Sequence, residues 1–297
     1  MLKDALIMAA LIAGATSAMA EPMVGLKLFS ASGTRNSLVH FDSANPGTIL
    51  NTIDVIGPHF LVGIDMRPAT GQLYGLDVEK KLWLIDPNTG FSTEVTGGTP
   101  ITQVVDDGMG FDFSPVADRI RMVTVAGDNL RLNPNPGSGG VAAADTTVSW
   151  AAGDVNVGQE TNISGAAYSN NFSGASSTNL YVIDQGLSVL VLQDPANSGL
   201  LHTIGPLGIA SAEMVGFDIS GNTGIAYLLS NLRNPNDADQ TSLFTVNLST
   251  GAATMVGTLG SLKGVSDIAV LPEPRALVML ITGAGVMGLG RRWRRSQ

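Results

Sequence analysis

Four aspartates recur within a repeated pattern, and they are the side chains best suited to chemistry. Asp65, Asp112 and Asp218 each end a short apolar run, and Asp267 lies within the similar run Val265–Val270. Gathered together, such carboxylates could bind Ca²⁺, or two of them could act as acid and base on a glycosidic bond. Alternatively, each closes a strand or accepts a hydrogen bond from a neighbouring backbone. Recurrence in nearly every repeat favours this structural role, because a catalytic pair needs only two carboxylates in different environments.

Three arginines form a second candidate site. Arg119 and Arg121 alternate within one run and therefore share one face of a strand, and Arg131 lies in the next run. Together they could bind the anionic group of a carboxylate or sulfate ligand. Alternatively, they pair with nearby acidic residues between neighbouring structural units. Those acidic residues are Asp112, Asp118 and Asp128.

Other catalytic and metal-binding patterns are missing from the sequence. The chain has no cysteine, and its three histidines lack the spacing of a metal-binding pair. No nucleophile elbow, phosphate-binding loop or dinucleotide fingerprint occurs in a strand–turn–helix context. We therefore expect no catalytic residue and no cofactor, with Ca²⁺ at the aspartates as the one cation to consider.

The charge balance bears on the class of partner. Residues 21–271 contain 10 basic and 23 acidic residues, a net charge of −13. Such a surface repels nucleic acid and anionic lipid, and it suits cations or neutral sugars better. Hydrophobic residues make up 44% of the chain and charged residues 14%, so this region can bury a sizeable core.

The elements that must position the candidate residues recur five times. Each copy has a β-run closed by Asp or Asn and a Pro/Gly turn, in which Gly supplies a positive φ. The turn glycines are Gly47, Gly90, Gly137, Gly199 and Gly251. Four short β-runs make up each copy, except that the first copy lacks the run that carries an aspartate elsewhere.

This pattern predicts an all-β fold, a propeller of five blades with four antiparallel strands each. The C-terminal run at residues 265–270 would complete the first blade and close the ring. The aspartates would then line the central channel. Insertions at Asn133–Asp145 and Ser169–Thr178 should cluster on one face, which is a candidate binding surface. A β-sandwich or an open β-solenoid is the alternative fold.

The N-terminus has the features of a signal peptide. A short basic start, the apolar stretch Ala5–Ala15 and a small-residue site at Ala18–Ala20 predict that signal peptidase removes residues 1–20. An uncleaved N-terminal anchor is the alternative. The mature domain would then cover residues 21–271.

Residues 272–297 have the features of a sorting tail. Pro272, Glu273 and Pro274 precede an apolar segment at 276–290, which as a helix would cover about 22 Å of a hydrocarbon core near 30 Å. This marginal length suits transient membrane anchoring, with a basic cluster on the cytoplasmic side. That cluster is Arg291, Arg292, Trp293, Arg294 and Arg295.

The order of these features resembles the PEP-CTERM sorting signal. The resemblance implies that a membrane exosortase recognises and cleaves the tail, in a Gram-negative bacterium that makes exopolysaccharide. Leu271 stands where this signal often has Val. A plain C-terminal membrane anchor is the alternative.

The region from about residue 25 to 270 is similar to the DUF4394 family. The similarity rests on several motifs in order: Val62–Leu76, Gly110–Pro115, Asp118–Arg121, Asn129–Pro134, Ala166–Asn171 and Gly216–Gly221. The function of this family is unknown, so the resemblance implies an exported, repeat-built β architecture and no catalytic residue.

These observations predict an exported, surface-sorted, non-catalytic binding or structural module associated with an exopolysaccharide matrix. We expect it in the periplasm, on the outer surface or in the extracellular matrix after sorting. The alternative is a secreted propeller hydrolase or lyase that acts on glycans through the channel carboxylates.

Overall fold

The computed structural model describes residues 20–28, 36–57, 60–105, 108–209, 215–234 and 237–272. Residues 1–19 of the predicted signal peptide and residues 273–297 of the predicted sorting tail lie outside the described residues. Within the described ranges, no helix has the length and apolar character needed to cross a membrane.

Short β-strands make up almost all of the regular structure. The first seven are β1 (Pro22–Lys27), β2 (Ser37–Asp42), β3 (Asn51–Asp54), β4 (Leu61–Arg67), β5 (Gln72–Asp77), β6 (Leu82–Ile85) and β7 (Ser92–Glu94). Next come β8 (Gly110–Ser114), β9 (Arg119–Val123), β10 (Asn129–Asn133), β11 (Gly140–Ala144), β12 (Ser149–Trp150), β13 (Ile163–Tyr168) and β14 (Leu180–Asp184). The last are β15 (Val189–Gln193), β16 (Leu200–Pro206), β17 (Val215–Ile219), β18 (Ala226–Asn234), β19 (Asp237–Val246), β20 (Ala253–Lys263) and β21 (Val265–Val270). A 3₁₀ turn at Ala196–Ser198 follows β15.

These strands form five sheets, which confirms the predicted five-bladed propeller. From the centre outwards, blades 2, 3 and 5 are β4-β5-β6-β7, β8-β9-β10-β11 and β17-β18-β19-β20. Blade 4 is β13-β14-β15-β16, and its outer edge gains the two-residue strand β12, which pairs parallel to β16. This extra strand accounts for part of the long step between the third and fourth turn glycines.

Blade 1 joins the two ends of the domain, as the sequence predicted. Its order is β21-β1-β2-β3, so the C-terminal strand is its innermost strand and pairs antiparallel with β1. The pairing runs from Met23 opposite Val270 to Lys27 opposite Val265. Pairing between the first and last described strands therefore closes the ring.

The hydrophobic core lies between the blades. The structure has five buried clusters, and each contains side chains from two neighbouring blades. Between blades 2 and 3, for example, Tyr74 packs edge-to-face on Phe113 with ring centroids 5.2 Å apart. The innermost strands β4, β8, β13, β17 and β21 contact one another in that cyclic order.

Glycines let the innermost strands approach one another at the channel. A Cβ atom on Gly63 would lie 2.9 Å from the Phe111 side chain, and one on Gly216 would lie 2.7 Å from the Asp267 Cα atom. The second clash is with backbone and cannot be relieved by a rotamer change. Gly110 is in the same situation against blade 4.

We expect Gly216→Ala to destabilise the ring by about 1–3 kcal/mol, the usual cost of overpacking a close contact. Chemical denaturation should show a lower midpoint for this variant. Gly47→Ala is the matched control, because the nearest atom to its added Cβ is the Thr258 carbonyl oxygen at an ordinary 3.5 Å. Equal midpoints for the two variants would contradict the close-approach argument.

Candidate functional site

Three of the four predicted channel aspartates occupy equivalent positions on the innermost strands. They are Asp65 on β4, Asp112 on β8 and Asp218 on β17. Cross-strand register places Ala167 at this position in blade 4 and Ala269 in blade 1. Asp267 lies two residues before Ala269, on the same face of β21.

Each carboxyl group links its own blade to the next one. Asp65 Oδ2 accepts a hydrogen bond from the Phe113 amide of blade 3 at 2.7 Å. Asp112 Oδ1 accepts one from the Tyr168 amide of blade 4 at 3.0 Å. Asp218 Oδ2 accepts one from the Val270 amide of blade 1 at 2.6 Å. The aspartates therefore bond neighbouring backbones, which is the structural role that the sequence favoured.

Asp267 links blade 1 to blade 2 in a shifted position. Its Oδ2 accepts a hydrogen bond from the Ile64 amide at 2.8 Å, and its Oδ1 accepts one from the Ile268 amide at 2.9 Å. Among the described residues, the junction between blades 4 and 5 has no such bridge, because blade 4 carries Ala167. Aspartate side chains thus link neighbouring blades at four of the five blade junctions.

Asp65, Asp112 and Asp218 crowd together in the channel. One oxygen from each carboxyl lies within 4.8 Å of the others, and the three residues are only 1–2% exposed. Desolvation raises the pKa of all three, and repulsion from neighbouring carboxylates adds to the rise at Asp65 and Asp112. For Asp218 the pKa rises from 3.8 to about 6. Burial also raises the pKa of Asp267.

A buried group of three carboxyls must be neutralised by protons or by a cation. Ca²⁺ takes six to eight oxygen ligands. Of the six carboxyl oxygens here, five already accept backbone N–H groups, from Met66, Phe113, Tyr168, Ile219 and Val270. These bonds hold the oxygens against the strands, so protons neutralise the group with less rearrangement than Ca²⁺ would need.

A cleft of about 480 Å³ opens where the innermost strands end. We call it the mouth cleft. Its floor contains Met66, Ile219 and Val270, each one residue beyond a channel position. Its polar and aromatic lining includes Asn171, Phe172, Ser173, Ser220 and Asn222. The mouth cleft therefore covers the aspartate group on this side of the ring.

One of the two predicted insertions lies on this face. Residues of the Ser169–Thr178 loop line the mouth cleft, and the Asn171 side chain is hydrogen-bonded to Asp218. The other, Asn133–Asp145, was wrong as an insertion, because it contains β11, the regular outer strand of blade 3. Only the turn before β11 contributes here, where Asn135 accepts a hydrogen bond from Arg67 at 2.8 Å.

The three arginines come together, but no ion pair joins them to the predicted Asp112, Asp118 or Asp128 among the described residues. Asp118 instead binds Arg67, as a bidentate pair. Arg121 and Arg131 both bind Asp145, at 2.8 Å each, and Arg119 donates to the Asp118 backbone carbonyl at 2.8 Å. The reason is local: the Asp145 amide bonds the Asn129 carbonyl, which places the Asp145 carboxylate beside both guanidinium groups.

Sequence reasoning missed several residues of this face. Arg67 ends an innermost strand and joins blade 2 to blade 3 through Asp118, and Asp145 directly follows β11. Glu21 is buried and accepts hydrogen bonds from Ser220 and Thr223 of blade 5. The signal for Arg67 and Glu21 was an isolated charge beside an apolar strand, which does not identify a partner by itself.

The family assignment agrees with this architecture. The family model for DUF4394, a domain of unknown function, matches residues 37–269. The chain belongs to the DUF4394 family. No curated protein matches the chain significantly.

Several solved structures are similar to this DUF4394 chain. One is a structural-genomics protein of unknown function from Bacteroides thetaiotaomicron VPI-5482, with a TM-score of 0.51, 12% identity and coverage of 84% of this chain and 65% of that chain. Another is glutaminyl cyclase from Myxococcus xanthus, with a TM-score of 0.43, 16% identity and coverage of 65% and 76%. A third is a putative 6-phosphogluconolactonase from Bacteroides uniformis ATCC 8492, with a TM-score of 0.36, 15% identity and coverage of 80% and 68%. At 12% identity the first similarity supports the fold alone. The other two have TM-scores below 0.5, and nothing is inferred from them.

The raised pKa values predict that this DUF4394 domain loses stability as pH rises. An acid whose pKa is raised on folding stabilises the fold below its unfolded pKa and loses that contribution as pH passes its folded pKa. For Asp218 alone, a rise from 3.8 to about 6 corresponds to about 3 kcal/mol, lost between about pH 4 and pH 7. Thermal melts should therefore give a lower midpoint at about pH 8 than at about pH 5.

Asp112→Asn should reduce this loss, because the amide oxygen can still accept from Tyr168 while one ionisable group is removed. Glu160→Gln is the matched control, since it removes one acid at an exposed position. We expect added Ca²⁺ to leave the midpoints unchanged. A wild-type protein stabilised by Ca²⁺, with Asp112→Asn less stable at about pH 8, would show that the carboxylates bind a cation instead.

Proposed function

We propose that this DUF4394 protein is an exported, surface-sorted, non-catalytic module that binds exopolysaccharide through the mouth cleft. The observation that carries the proposal is the chemistry of that cleft, an open pocket beside a channel whose carboxyls already serve the fold. The DUF4394 match and the propeller architecture are compatible with this role.

The channel carboxyls are poorly placed for catalysis on a glycan. Asp65, Asp112 and Asp218 are at most 2% exposed, and each accepts a backbone hydrogen bond from a neighbouring blade. An acid or base must come within about 3 Å of the proton that it transfers, directly or through one water. A glycosidic oxygen in the mouth cleft is separated from them by the residues of its floor. This argues for binding over the hydrolase or lyase alternative.

The mouth cleft offers the groups that a sugar needs. Phe172 is 48% exposed in its lining and presents an aromatic surface on which the C–H face of a sugar ring can pack. The side chains of Ser173 and Asn222 supply hydroxyl and amide groups for the sugar hydroxyls. The one charged side chain in this lining, Arg67, is paired with Asp118, so the cleft suits a neutral portion of a polysaccharide.

The ends of the folded domain also bear on sorting. The Leu271 amide donates to the Pro22 carbonyl at 2.9 Å, and Leu271 and Pro272 line the mouth cleft. Both ends of the domain therefore leave the ring at the mouth face. On our proposal, signal peptidase removes residues 1–20, the tail anchors the protein transiently, and exosortase cleaves near Pro272–Pro274. Until cleavage, the mouth face would be held toward the membrane.

Binding to the polysaccharide of the producing strain tests the ligand. Calorimetry with residues 20–272 should show saturable binding, and Phe172→Ala should weaken it roughly tenfold, which corresponds to about 1.4 kcal/mol for the lost aromatic contact. Phe91→Ala is the matched control, because Phe91 is 63% exposed and does not line this cleft. Equal affinities for the two variants, or no binding at all, would overturn the mouth cleft as the glycan site.

Cell fractionation of the producing bacterium tests the sorting proposal. Replacing Pro272, Glu273 and Pro274 together with Ala should leave the full-length protein in the membrane fraction, since exosortase would no longer recognise the tail. A Glu160→Gln variant, exposed and outside the tail, should be released like the wild type. Release of the triple variant with its tail removed at the usual place would refute recognition through this motif.

A further inference from the structure

A second, smaller cleft lies between blades 3 and 4, and we call it the arginine cleft. It has a volume of about 190 Å³, and Arg119, Arg121 and Arg131 line it together with Tyr168 and Thr178. Thr178 belongs to the same loop as the mouth cleft residue Phe172, so the two clefts lie on one face with that loop between them.

Positive charge is concentrated in the arginine cleft. Residues 21–271 contain only 10 basic side chains against 23 acidic ones, and three of the 10 line this cleft. Among the described residues, Asp145 is the one carboxylate that forms ion pairs with Arg121 and Arg131. Asp118 lies near Arg119, but its carboxylate is engaged by Arg67. Positive charge therefore exceeds negative charge in this cleft, in a protein that is otherwise strongly acidic.

Two of the arginines keep donors that the fold does not use. Arg131 binds Asp145 through Nε and Nη2, which leaves the Nη1 edge of its guanidinium for a ligand, and its side chain is 34% exposed. Arg119 makes one hydrogen bond, from Nη1 to a backbone carbonyl, among the described residues. Arg121 is different: it is buried and bonds Tyr168, Asn129, Asp145 and Asn197.

Tyr168 adds a buried neutral donor to the cleft. It is 4% exposed, and its hydroxyl oxygen accepts a hydrogen bond from Arg121 Nε at 3.2 Å. Burial raises the pKa of Tyr168, so the hydroxyl stays protonated near neutral pH. Within the described part of the chain, its proton has no acceptor, and the cleft is where one would lie.

We propose that the arginine cleft binds an oxyanion, a carboxylate or sulfate group held by Arg119, Arg131 and the Tyr168 hydroxyl. Planar guanidinium groups match the oxygens of such anions and form charge-assisted hydrogen bonds with them. Assigning the anion to an acidic sugar of a polysaccharide rests on the proposed function. The oxyanion site itself does not. A polysaccharide that crosses the loop between the two clefts would place a neutral sugar in one and an acidic group in the other.

Titration with inorganic sulfate at low ionic strength tests the site. The wild type should bind saturably, and Arg131→Gln and Arg119→Gln should each weaken binding about tenfold, as expected for losing a charge-assisted hydrogen bond. Both variants should fold, because Arg121 still pairs with Asp145. Lys81→Gln is the matched control, since it removes one positive charge outside this cleft. Absence of sulfate binding, or equal loss in all three variants, would overturn the site.

A second arm identifies the source of the anion. An oligogalacturonate and its methyl ester share the same sugar chain, but the ester has no anionic carboxylate. An acidic-sugar site therefore requires about tenfold tighter binding of the free acid in the wild type and equal binding of the two in Arg131→Gln. Equal binding in the wild type, with sulfate still bound, would refute the polysaccharide assignment and leave a small-anion site. In the same experiment, Phe172→Ala reports on the mouth cleft independently, so failure of either proposal can be distinguished from failure of the other.

Discussion

The structure depends on how closely the five innermost strands can approach one another around the channel. A backbone amide of one blade must come within hydrogen-bonding distance of an aspartate side chain on its neighbour. A Cβ atom on the residue two positions before that aspartate would keep the strands too far apart. The repeated Gly-x-Asp pattern meets both requirements. Glycine at 63, 110 and 216 removes the obstructing atom, and aspartate at 65, 112 and 218 supplies the bridging oxygen. Burial of the interblade clusters follows from that approach.

The same arrangement limits what the channel can do. Carboxyl groups brought this close in a buried position resist ionisation, and their hydrogen bonds to neighbouring strands fix them in place. A side chain that joins blades cannot also move to meet a substrate without weakening the ring. Ligand chemistry is thereby left to the face where the strands end and the insertions begin. For this reason, the aspartates that recur in the innermost strands indicate how the blades are joined and do not indicate which ligand binds.

Much of the fold could be predicted from the sequence because each repeat carries its own turn chemistry. The turn glycines Gly90, Gly137, Gly199 and Gly251 have φ values between 66° and 82°, as positive-φ turn positions should. Ring closure was predictable because blade 1 lacked an inner strand and residues 265–270 had the character of one. The small strand β12 was not predictable, since two residues carry no periodicity and their pairing with β16 depends on a distant part of the chain.

The site was predictable only in part, for a related reason. Spacing placed the three arginines on one blade, but the partner of a guanidinium depends on where loops return in space. Asp145 lies 14 residues after Arg131 along the chain and yet beside it in the fold. Likewise, recurrence suggested a backbone role for the aspartates, whereas their mutual distance and shared burial depend on the diameter of the ring.

The junction between blades 4 and 5 shows how the fold and the binding face are connected. Ala167 removes the carboxylate bridge there, and the loop that directly follows β13 is the long Ser169–Thr178 insertion. That loop packs so tightly on blade 5 that a Cβ atom on Gly221 would overlap the Asn171 carbonyl oxygen, and the Asn171 side chain bonds Asp218. Loop contacts therefore replace the missing bridge at this junction. The same loop lies between the mouth cleft and the arginine cleft. Blade 4, which lacks the bridging aspartate, therefore contributes residues to both proposed binding sites.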